Sequence, residues 1–228
     1  NGINGLTDKT LLRFKPKFFL IKDLNTYNKI KKNFKYKKTK IIKSLEYFKI
    51  KKKIDISISA IPGITGLKPT LFIVKKSKKL LIANKESVIC GWSLIENEAK
   101  KNKTKIIPID SEHFSIFKLI QNYRISEIKK VFLTASGGDS ATLMNKILEL
   151  VEAHKIFKIP YNKLEILIHP DSFIHAIIQF NNGLYKFIYH ENSMIIPIAN
   201  AIFENDLNSD QFFKSKKKEE FKKNLTFD

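Results

Sequence analysis

The sequence has one cysteine, few arginines and no long apolar run. A lone Cys90 excludes an internal disulfide and a cysteine-based zinc site, and it is compatible with a reducing cytoplasm, where we expect the protein to act. No stretch approaches the roughly 20 apolar residues that span a membrane, so we expect no membrane partner. The chain opens with Asn1 rather than Met and shows no signal or transit pattern, and we therefore expect that the beginning of the protein is missing.

Only two of the 42 basic residues are arginines, Arg13 and Arg124, although the net charge is +20. A nucleic-acid partner is the usual inference from such a charge, but arginine is the residue that reads guanine and grips phosphate through two hydrogen bonds. The excess of lysine, isoleucine and asparagine is typical of AT-rich coding DNA, so nucleic acid is disfavoured as a partner. A basic nucleic-acid-binding protein is the rival class, and it predicts salt-sensitive binding. The cationic surface would also attract a phosphorylated substrate.

Strand-like and helix-like segments alternate through the first half of the chain. The predicted strands are 54–59, 79–83 and 105–109, and the predicted helices are 67–75, 86–101 and 112–120. This alternation predicts an α/β fold with parallel strands and crossover helices. Ligands of such sheets bind at the carboxyl ends of the strands, and polar loops follow each predicted strand here. Before these elements, the lysine-rich segment 29–40 is typical of a solvated helix.

The second half has a different pattern, which predicts an α+β unit. Its predicted elements are a strand at 130–135, a helix at 140–157, a strand at 164–168, a hairpin over 174–190 and a helix starting near Pro197. Beyond these elements the chain is polar and rich in lysine, as in a linker or tail. We therefore divide the chain into domains at 1–109 and 110–205, followed by a tail at 206–228.

Asp110 and Glu112 stand two residues apart at the end of an apolar strand. Side chains at positions i and i+2 of extended backbone point to the same side, so both carboxylates can face one point. Oxygen ligands of this kind suit a hard divalent cation such as Mg²⁺. The alternative is an ordinary helix start, with Asp110 or Ser111 as the N-cap and Glu112 near the positive end of the helix.

The segment that begins at Ser140 carries a second set of polar side chains on a predicted helix. Asn145 and Glu149 share a face at i and i+4, and Lys146 neighbours Glu149 at i and i+3. These donors, together with unpaired backbone N–H groups expected at the helix start near Ser140, suit an anionic group, and Glu149 could join the carboxylate pair as a third ligand. The alternative is that these residues form the solvent face of an amphipathic helix. On that interpretation the apolar face is formed by Leu143, Ile147 and Leu150.

The remaining polar signals are weaker. Thr134 to Gly138 ends a strand with two glycines, which suits either a phosphate cradle or a simple tight turn. The loop at Asn84 follows a strand of a sheet that lacks any G-x-G-x-x-G motif. Glycines therefore give no indication of a nucleotide site there. Four histidines without metal-ligand spacing are interpreted as structural; they are His154, His169, His175 and His190.

Taken in order, five segments resemble the signature segments of the 1-deoxy-D-xylulose 5-phosphate reductoisomerase family. They are LIANKES at 81–87, PIDSEH at 108–113, TASGG at 134–138, DSATLMNK at 139–146 with Glu149 after it, and ILIHPDSFIHA at 166–176. Each segment alone is only suggestive, whereas five in the family's order are specific. The resemblance covers nearly the whole chain and includes the IPGITGLKPT loop at 61–70.

The resemblance implies a partial Rossmann-like NADPH domain followed by a catalytic domain, and an NADPH-dependent conversion of 1-deoxy-D-xylulose 5-phosphate to 2-C-methyl-D-erythritol 4-phosphate for isoprenoid precursors. It also implies a homodimer. The implied catalytic residues are Asp110, Glu112, Lys146 and Glu149, of which the three acidic ones bind Mg²⁺ or Mn²⁺. The implied substrate-binding residues are Ser111, Ser136, Ser140, Asn145 and Lys146, the last four of which hold the phosphate. The implied cofactor-binding residues are Ala60, Ile61, Asn84, Lys85 and Glu86.

The chain departs from the family pattern at three places. It begins after the family's glycine-rich dinucleotide loop, and the family's helical C-terminal domain does not follow the tail. Gly138 runs straight into Asp139, where the family carries a mobile loop that closes over the substrate. Either segments of the protein are missing from the sequence, or the chain is a non-catalytic remnant. Because it lacks the closing loop, we expect little or no activity from the chain as it stands.

Overall fold

The computed structural model describes residues 9–33 and 38–207. The chain forms two compact units that divide between Lys53 and Ile54, and each is described by itself. Among the described residues, no helix combines the length and the apolar character that crossing a membrane would require. The predicted boundary between 109 and 110 falls inside the second unit and stays a prediction. Most of the predicted tail, 206–228, lies outside the described residues.

In its described residues, the first unit contains a small parallel sheet, two α-helical segments and a short 3-10 helix (Leu45–Tyr47). Residues 9–14 are helical, followed by strand β1 (Phe18–Leu20), helix α1 (Leu24–Asn33) and strand β2 (Lys40–Ile42), which pairs with β1. The predicted helix over 29–40 is wrong in its bounds. The side chain of Asp23 accepts a hydrogen bond from the Thr26 backbone N–H at 2.8 Å, so the helix begins earlier. The chain at Lys40 already belongs to strand β2, in which the Ile42 side chain is buried.

The second unit begins with a three-stranded parallel sheet. Its strands are β3 (Ile54–Ser59), β4 (Ser77–Ile82) and β5 (Lys105–Pro108), in that order across the sheet. Helix α2 (Leu67–Val74) connects β3 to β4, and helix α3 (Lys85–Lys101) connects β4 to β5. The predicted α/β architecture with parallel strands and crossover helices is confirmed. The loops after β3, β4 and β5 meet at one edge of this sheet.

A mixed four-stranded sheet follows in the same unit. Its strands are β6 (Ile128–Ala135), β7 (Leu164–Ile168), β8 (Ile174–Phe180) and β9 (Tyr185–Tyr189), in the order β7-β6-β8-β9. β7 lies parallel to β6, whereas β8 and β9 form the predicted antiparallel hairpin. Gly183 adopts a φ of 86° in the hairpin turn, a conformation that glycine adopts without steric cost.

The described part of the second unit has three further α-helices, and two of them position the candidate site. They are α4 (Ser111–Ile120), α5 (Ser140–Phe157) and α6 (Ile195–Phe203). Ile116 of α4 and Ala153 of α5 belong to one buried cluster with Val131 and Leu133 of β6. This shared core fixes the two helices against the same sheet. The side chains along their facing surfaces therefore have defined mutual positions.

Candidate metal and substrate site

Helix α4 begins with a carboxylate that is tied to a buried histidine. Asp110 is the N-cap, and its Oδ1 accepts a hydrogen bond from the His113 backbone N–H at 2.8 Å. The same oxygen lies 2.6 Å from His113 Nδ1, while His113 Nε2 lies 2.9 Å from the backbone carbonyl oxygen of Glu149. The N-cap interpretation of Asp110 is thus correct, but the cap also takes part in a buried network.

His113 is fully buried, and its raised pKa keeps it charged at neutral pH. Burial by itself would lower the pKa of His113, but the charges of Asp110 and Glu152 outweigh that effect and raise it to about 10. Both ring nitrogens therefore carry protons, and the imidazolium donates one hydrogen bond to Asp110 and one to the Glu149 carbonyl. A charged donor holds its carboxylate partner more firmly than a neutral one.

The second feature of the site is a lysine held between two glutamates. Lys146 Nζ lies 2.5 Å from Glu112 Oε1 and 2.7 Å from Glu149 Oε2. All three side chains are nearly buried, with exposed fractions of 7% for Lys146, 14% for Glu112 and 6% for Glu149. Burial would raise the pKa of Glu112, but the charge of Lys146 together with hydrogen bonds from Lys146 and Ser111 holds that pKa below its ordinary value. Ser111 Oγ donates to the other Glu112 oxygen at 2.7 Å.

Glu149 has two further partners in the same place. Lys85 Nζ, from the start of α3, lies 2.9 Å from Glu149 Oε1 and donates to Asn145 Oδ1 at 2.7 Å. The Asn145 amide in turn donates to Glu149 Oε1 at 2.6 Å. Lys85, Asn145 and Lys146 were expected to bind cofactor or substrate. All three contact Glu149, a predicted metal ligand.

The three predicted metal ligands meet in one region but do not share one point. Glu112 and Glu149 converge on Lys146, whereas Asp110 faces His113. Asp110 is near enough to Glu112 for its charge to raise the pKa of that carboxyl. The predicted metal set stays a prediction.

The geometry also identifies a different acidic partner, Glu152, that sequence reasoning missed. Asp110, His113 and Glu152 have ligand atoms that all lie within 4.8 Å of one another. Glu152 is only 1% exposed, and burial raises its pKa to about 7. His113 Nδ1 lies 3.7 Å from Glu152 Oε2, so a protonated imidazole already provides a positive charge there. We interpret this set as a charge network rather than as a second metal site, because a metal at Nδ1 would have to displace a proton from it.

Helix α5 turns part of its polar face toward the protein interior, whereas one interpretation of the sequence placed that face in solvent. Lys146, Glu149 and Glu152 recur every third residue, and all three are buried. Ile147 is 49% exposed instead of facing the core. The predicted solvent face is therefore wrong for Lys146 and Glu149, although Asn145 is exposed. Their burial is possible because each charge has a partner of opposite sign.

The start of α5 is less prepared for an anion than the sequence indicated. Asp139 Oδ1 accepts hydrogen bonds from the backbone N–H groups of Ala141 and Thr142, at 3.1 and 3.0 Å. The expectation that unpaired N–H groups are available near Ser140 is wrong for these two. Ser136 and Ser140 are exposed on either side of this turn. Their contact with a phosphate stays a prediction.

Two of the histidines interpreted as structural lie beside the site. His175 Nδ1 is 4.0 Å from Glu112 Oε1, and its ring stacks on that of His190 with centroids 4.1 Å apart. Burial, together with the charge of His190, lowers the pKa of His175 to about 4, so the ring is neutral at physiological pH. His154 fits the structural interpretation, since its Nδ1 lies 2.8 Å from the Ile159 carbonyl.

The residues predicted to bind the cofactor lie at the carboxyl ends of β3 and β4. Ala60, Ile61 and Glu86 are exposed there. Asn84 is buried, and its amide donates to the carbonyl oxygens of Ile61 and Gly63. Asn84 therefore joins the loops that follow the two strands, and its contact with a cofactor stays a prediction.

A glycine makes this junction of loops possible. A Cβ added to Gly66 would lie 2.4 Å from Asn84 Nδ2 and 2.5 Å from the Ile61 carbonyl oxygen. No side chain fits at those distances, so Gly66 allows Asn84 to reach the loop after β3.

Two family models match successive parts of the chain. One, described as 1-deoxy-D-xylulose 5-phosphate reductoisomerase, matches residues 4–91. The other, described as the C-terminal domain of that enzyme, matches residues 106–138. Together they match more than half of the chain. The second match ends at Gly138, where the sequence indicated that a loop is absent.

Relatives and solved structures agree with these matches. The 1-deoxy-D-xylulose 5-phosphate reductoisomerase of Pelagibacter ubique (strain HTCC1062) is 43% identical over 244 aligned positions, which cover 91% of this chain and 62% of that protein. A structure of the enzyme from Zymomonas mobilis in complex with NADPH has a TM-score of 0.78 at 28% identity and covers 89% of this chain and 61% of that one. A structure with fosmidomycin and magnesium has a TM-score of 0.85 at 26% identity and covers 99% and 66%.

The chain spans about 62% of the length of the Pelagibacter ubique relative. The aligned length of 244 exceeds the 228 residues of the chain, so the relative has residues inside the aligned region that this chain lacks. Sequence, fold and family matches agree on one assignment: the chain belongs to the 1-deoxy-D-xylulose 5-phosphate reductoisomerase family.

Proposed function

We propose that the chain carries the metal-binding and substrate-binding part of an NADPH-dependent reductoisomerase. The whole enzyme would convert 1-deoxy-D-xylulose 5-phosphate to 2-C-methyl-D-erythritol 4-phosphate, a step toward isoprenoid precursors. One observation carries this proposal. In a chain of this family, two nearly buried glutamates from different helices, Glu112 and Glu149, converge on a single cation.

The donor set fits Mg²⁺ or Mn²⁺. The Lys146 ammonium group shows that a positive charge is held between Glu112 and Glu149, and hard divalent ions take the same carboxylate oxygens. Asp110, Glu112 and Glu149 would hold the ion. When bound, it would polarise the substrate carbonyl and stabilise negative charge on oxygen. The chain's own contribution is orientation: His113 fixes Asp110, and Ser111 fixes Glu112 until substrate replaces that contact.

The substrate phosphate would bind at the first turns of α5. Ser136, Ser140, Asn145 and Lys146 offer hydroxyl, amide and ammonium donors to an anion, and such a remote grip positions the reacting end of a small substrate. Ser111 would donate to the substrate's oxygens near the ion. Lys146 has a dual position, since it contacts the metal ligands while belonging to the proposed phosphate site.

NADPH would bind along the loops that follow β3 and β4, where it would supply a hydride. Ile61, 48% exposed in the loop after β3, gives this edge an apolar surface on which a planar ring can pack. Ala60, Asn84, Lys85 and Glu86 would complete the contact. We also propose a homodimer that acts in the cytoplasm; the use of a single, exposed cysteine suits a reducing compartment.

A manganese titration followed by electron paramagnetic resonance tests the proposed site. We expect one Mn²⁺ bound per chain, and at least about 100-fold weaker binding after Glu149→Gln, which keeps the shape of the side chain but removes its charge. Glu165→Gln is the matched control, because Glu165 is a half-exposed glutamate on β7. Equal Mn²⁺ binding by Glu149→Gln and Glu165→Gln would contradict the proposed metal site and, with it, the proposed function.

A non-catalytic remnant is the second candidate, and the residues missing from the aligned region favour it. With the closing loop absent, we expect NADPH oxidation near background when the ketose phosphate and Mg²⁺ are supplied. The Mn²⁺ titration separates the two: an enzyme part with its centre intact binds the ion, whereas a remnant that has lost its function need not. Steady NADPH oxidation by this chain would contradict the expected inactivity.

A further inference from the structure

We propose that Lys146 couples the two halves of the site: without metal its ammonium group occupies the place of the ion, and metal binding displaces it toward the anion. This inference rests on the proposed function, because it takes Glu112 and Glu149 as metal ligands. It assigns Lys146 a positioning role in addition to phosphate contact, and it makes metal binding a condition for tight anion binding.

The ammonium group of Lys146 lies between the two proposed metal ligands from different helices. Its Nζ lies 2.5 Å from one oxygen of Glu112 and 2.7 Å from one oxygen of Glu149. Two nearly buried carboxylates without a cation would repel each other and would lack hydration, so an internal cation stabilises the chain without metal. The ammonium group is therefore a resident counter-ion of the metal ligands.

A divalent ion and the ammonium group compete for the same oxygens. Carboxylate oxygens lie about 2.1 Å from a bound Mg²⁺, closer than an ammonium nitrogen approaches. An ion at that distance from Glu112 and Glu149 would also repel the charge on Nζ. Metal binding therefore requires the lysine side chain to leave its present position, as its four flexible methylene groups permit.

Charge explains why an anion would bind only afterwards. With Glu152 ionised, Asp110, Glu112, Glu149 and Glu152 contribute four negative charges, and Lys85, Lys146 and the His113 imidazolium contribute three positive ones, a net charge of −1. A divalent ion changes that net charge to +1. Asn145 is also engaged with Glu149 and Lys85 in the present arrangement. A phosphate would thus meet a repelling site before metal binding and an attracting site after it.

Thermodynamic linkage makes the proposal measurable on the chain as it exists. We would titrate Mn²⁺ with and without inorganic phosphate, and titrate phosphate with and without Mn²⁺, correcting both for the Mn²⁺–phosphate complex in solution. We expect each ligand to tighten the other by at least about fivefold. The neutral variant Lys146→Met should bind Mn²⁺ about tenfold more tightly in the absence of phosphate and should retain less than a twofold mutual effect. Lys129→Met, at an exposed position of β6, should behave like the unaltered chain.

Two further measurements separate the loss of the Lys146 charge from a loss of folding. Lys146→Arg keeps the charge, so it should retain a mutual effect above twofold. If Lys146→Met folds poorly without metal, Mn²⁺ should raise its melting temperature more than that of the unaltered chain. Absence of Mn²⁺ binding in the unaltered chain would overturn both this inference and the proposed metal site. Normal Mn²⁺ binding together with unchanged affinity and undiminished mutual effect in Lys146→Met would overturn this inference alone.

Discussion

Helices α4 and α5 begin with the same local pattern and differ in what lies behind it. Each has an aspartate N-cap followed by serine, Asp110-Ser111 and Asp139-Ser140, and each cap is bonded to the residue three positions later. In α4 that residue is His113, which is fully buried between charges. In α5 it is Thr142, whose hydroxyl donates to Asp139 at 2.6 Å in an exposed turn. The same capping chemistry thus ends in a buried charge network in one helix and in a simple cap in the other.

The largest difference between the two helix starts should appear in folding stability. His113→Ala removes an imidazolium that contacts Asp110, Glu152 and a backbone carbonyl, and it leaves two carboxylates without their partner. We expect a loss of about 3–5 kcal/mol in the free energy of unfolding. The equivalent change in α5, Thr142→Ala, should cost less than about 1 kcal/mol, because its hydrogen bond is exposed.

Urea unfolding of the two variants and the unaltered chain, followed by circular dichroism, measures both changes. Similar losses for His113→Ala and Thr142→Ala would mean that the His113 network contributes no more than an ordinary cap, and the comparison between the helices would fail.

A smaller effect should follow pH. The folded-state pKa of His113 is raised to about 10 from its ordinary 6.5, so its stabilisation is fully present below about pH 6.5 and is lost as the pH rises through 10. The groups that face the ring are Asp110, Glu152 and the Glu149 carbonyl, with Phe157 stacked on it. Above pH 7.5 Glu152, whose pKa is about 7, is largely ionised.

Between pH 7.5 and 9.5 the free energy of unfolding should therefore fall by up to about 1.4 kcal/mol per pH unit through His113. His113→Gln should remove that part of the slope, and Thr142→Ala should keep it. A series of urea unfolding curves at four pH values measures the slopes, and identical slopes in all three proteins would contradict a charged His113.

Sequence reasoning predicted the elements and half of the network, and the reason lies in what each depends on. Strand and helix positions follow from local periodicity, and Asp110, Glu112 and Glu149 followed from the family resemblance. The burial of Lys146 and Glu152 depends on which face of α5 meets the core. Apolar Ile147 indicated the opposite face, and it is half-exposed. The charged residues Lys146, Glu149 and Glu152 recur every third position, which was the available signal. Their partners, such as His113 for Glu152, come from a different helix.

The loops at the predicted cofactor edge show the same limit of local pattern. Asn84, Lys85 and Glu86 are consecutive, yet one joins two loops, one reaches Glu149 and one is exposed. Their sequence spacing gives the start of α3, where Asn84 accepts a hydrogen bond from the Ser87 backbone N–H. It does not give the destination of each side chain, because Lys85 reaches α5, sixty residues farther along the chain, whereas Asn84 reaches the loop after β3.

The most direct measurement is a crystal structure of the chain grown with Mn²⁺, with the ion located by its anomalous scattering. We expect one peak about 2.1 Å from oxygens of Asp110, Glu112 and Glu149, with Lys146 Nζ moved away from both glutamates. A peak among Asp110, His113 and Glu152, or Lys146 still between Glu112 and Glu149 with no ion beside them, would contradict that expectation.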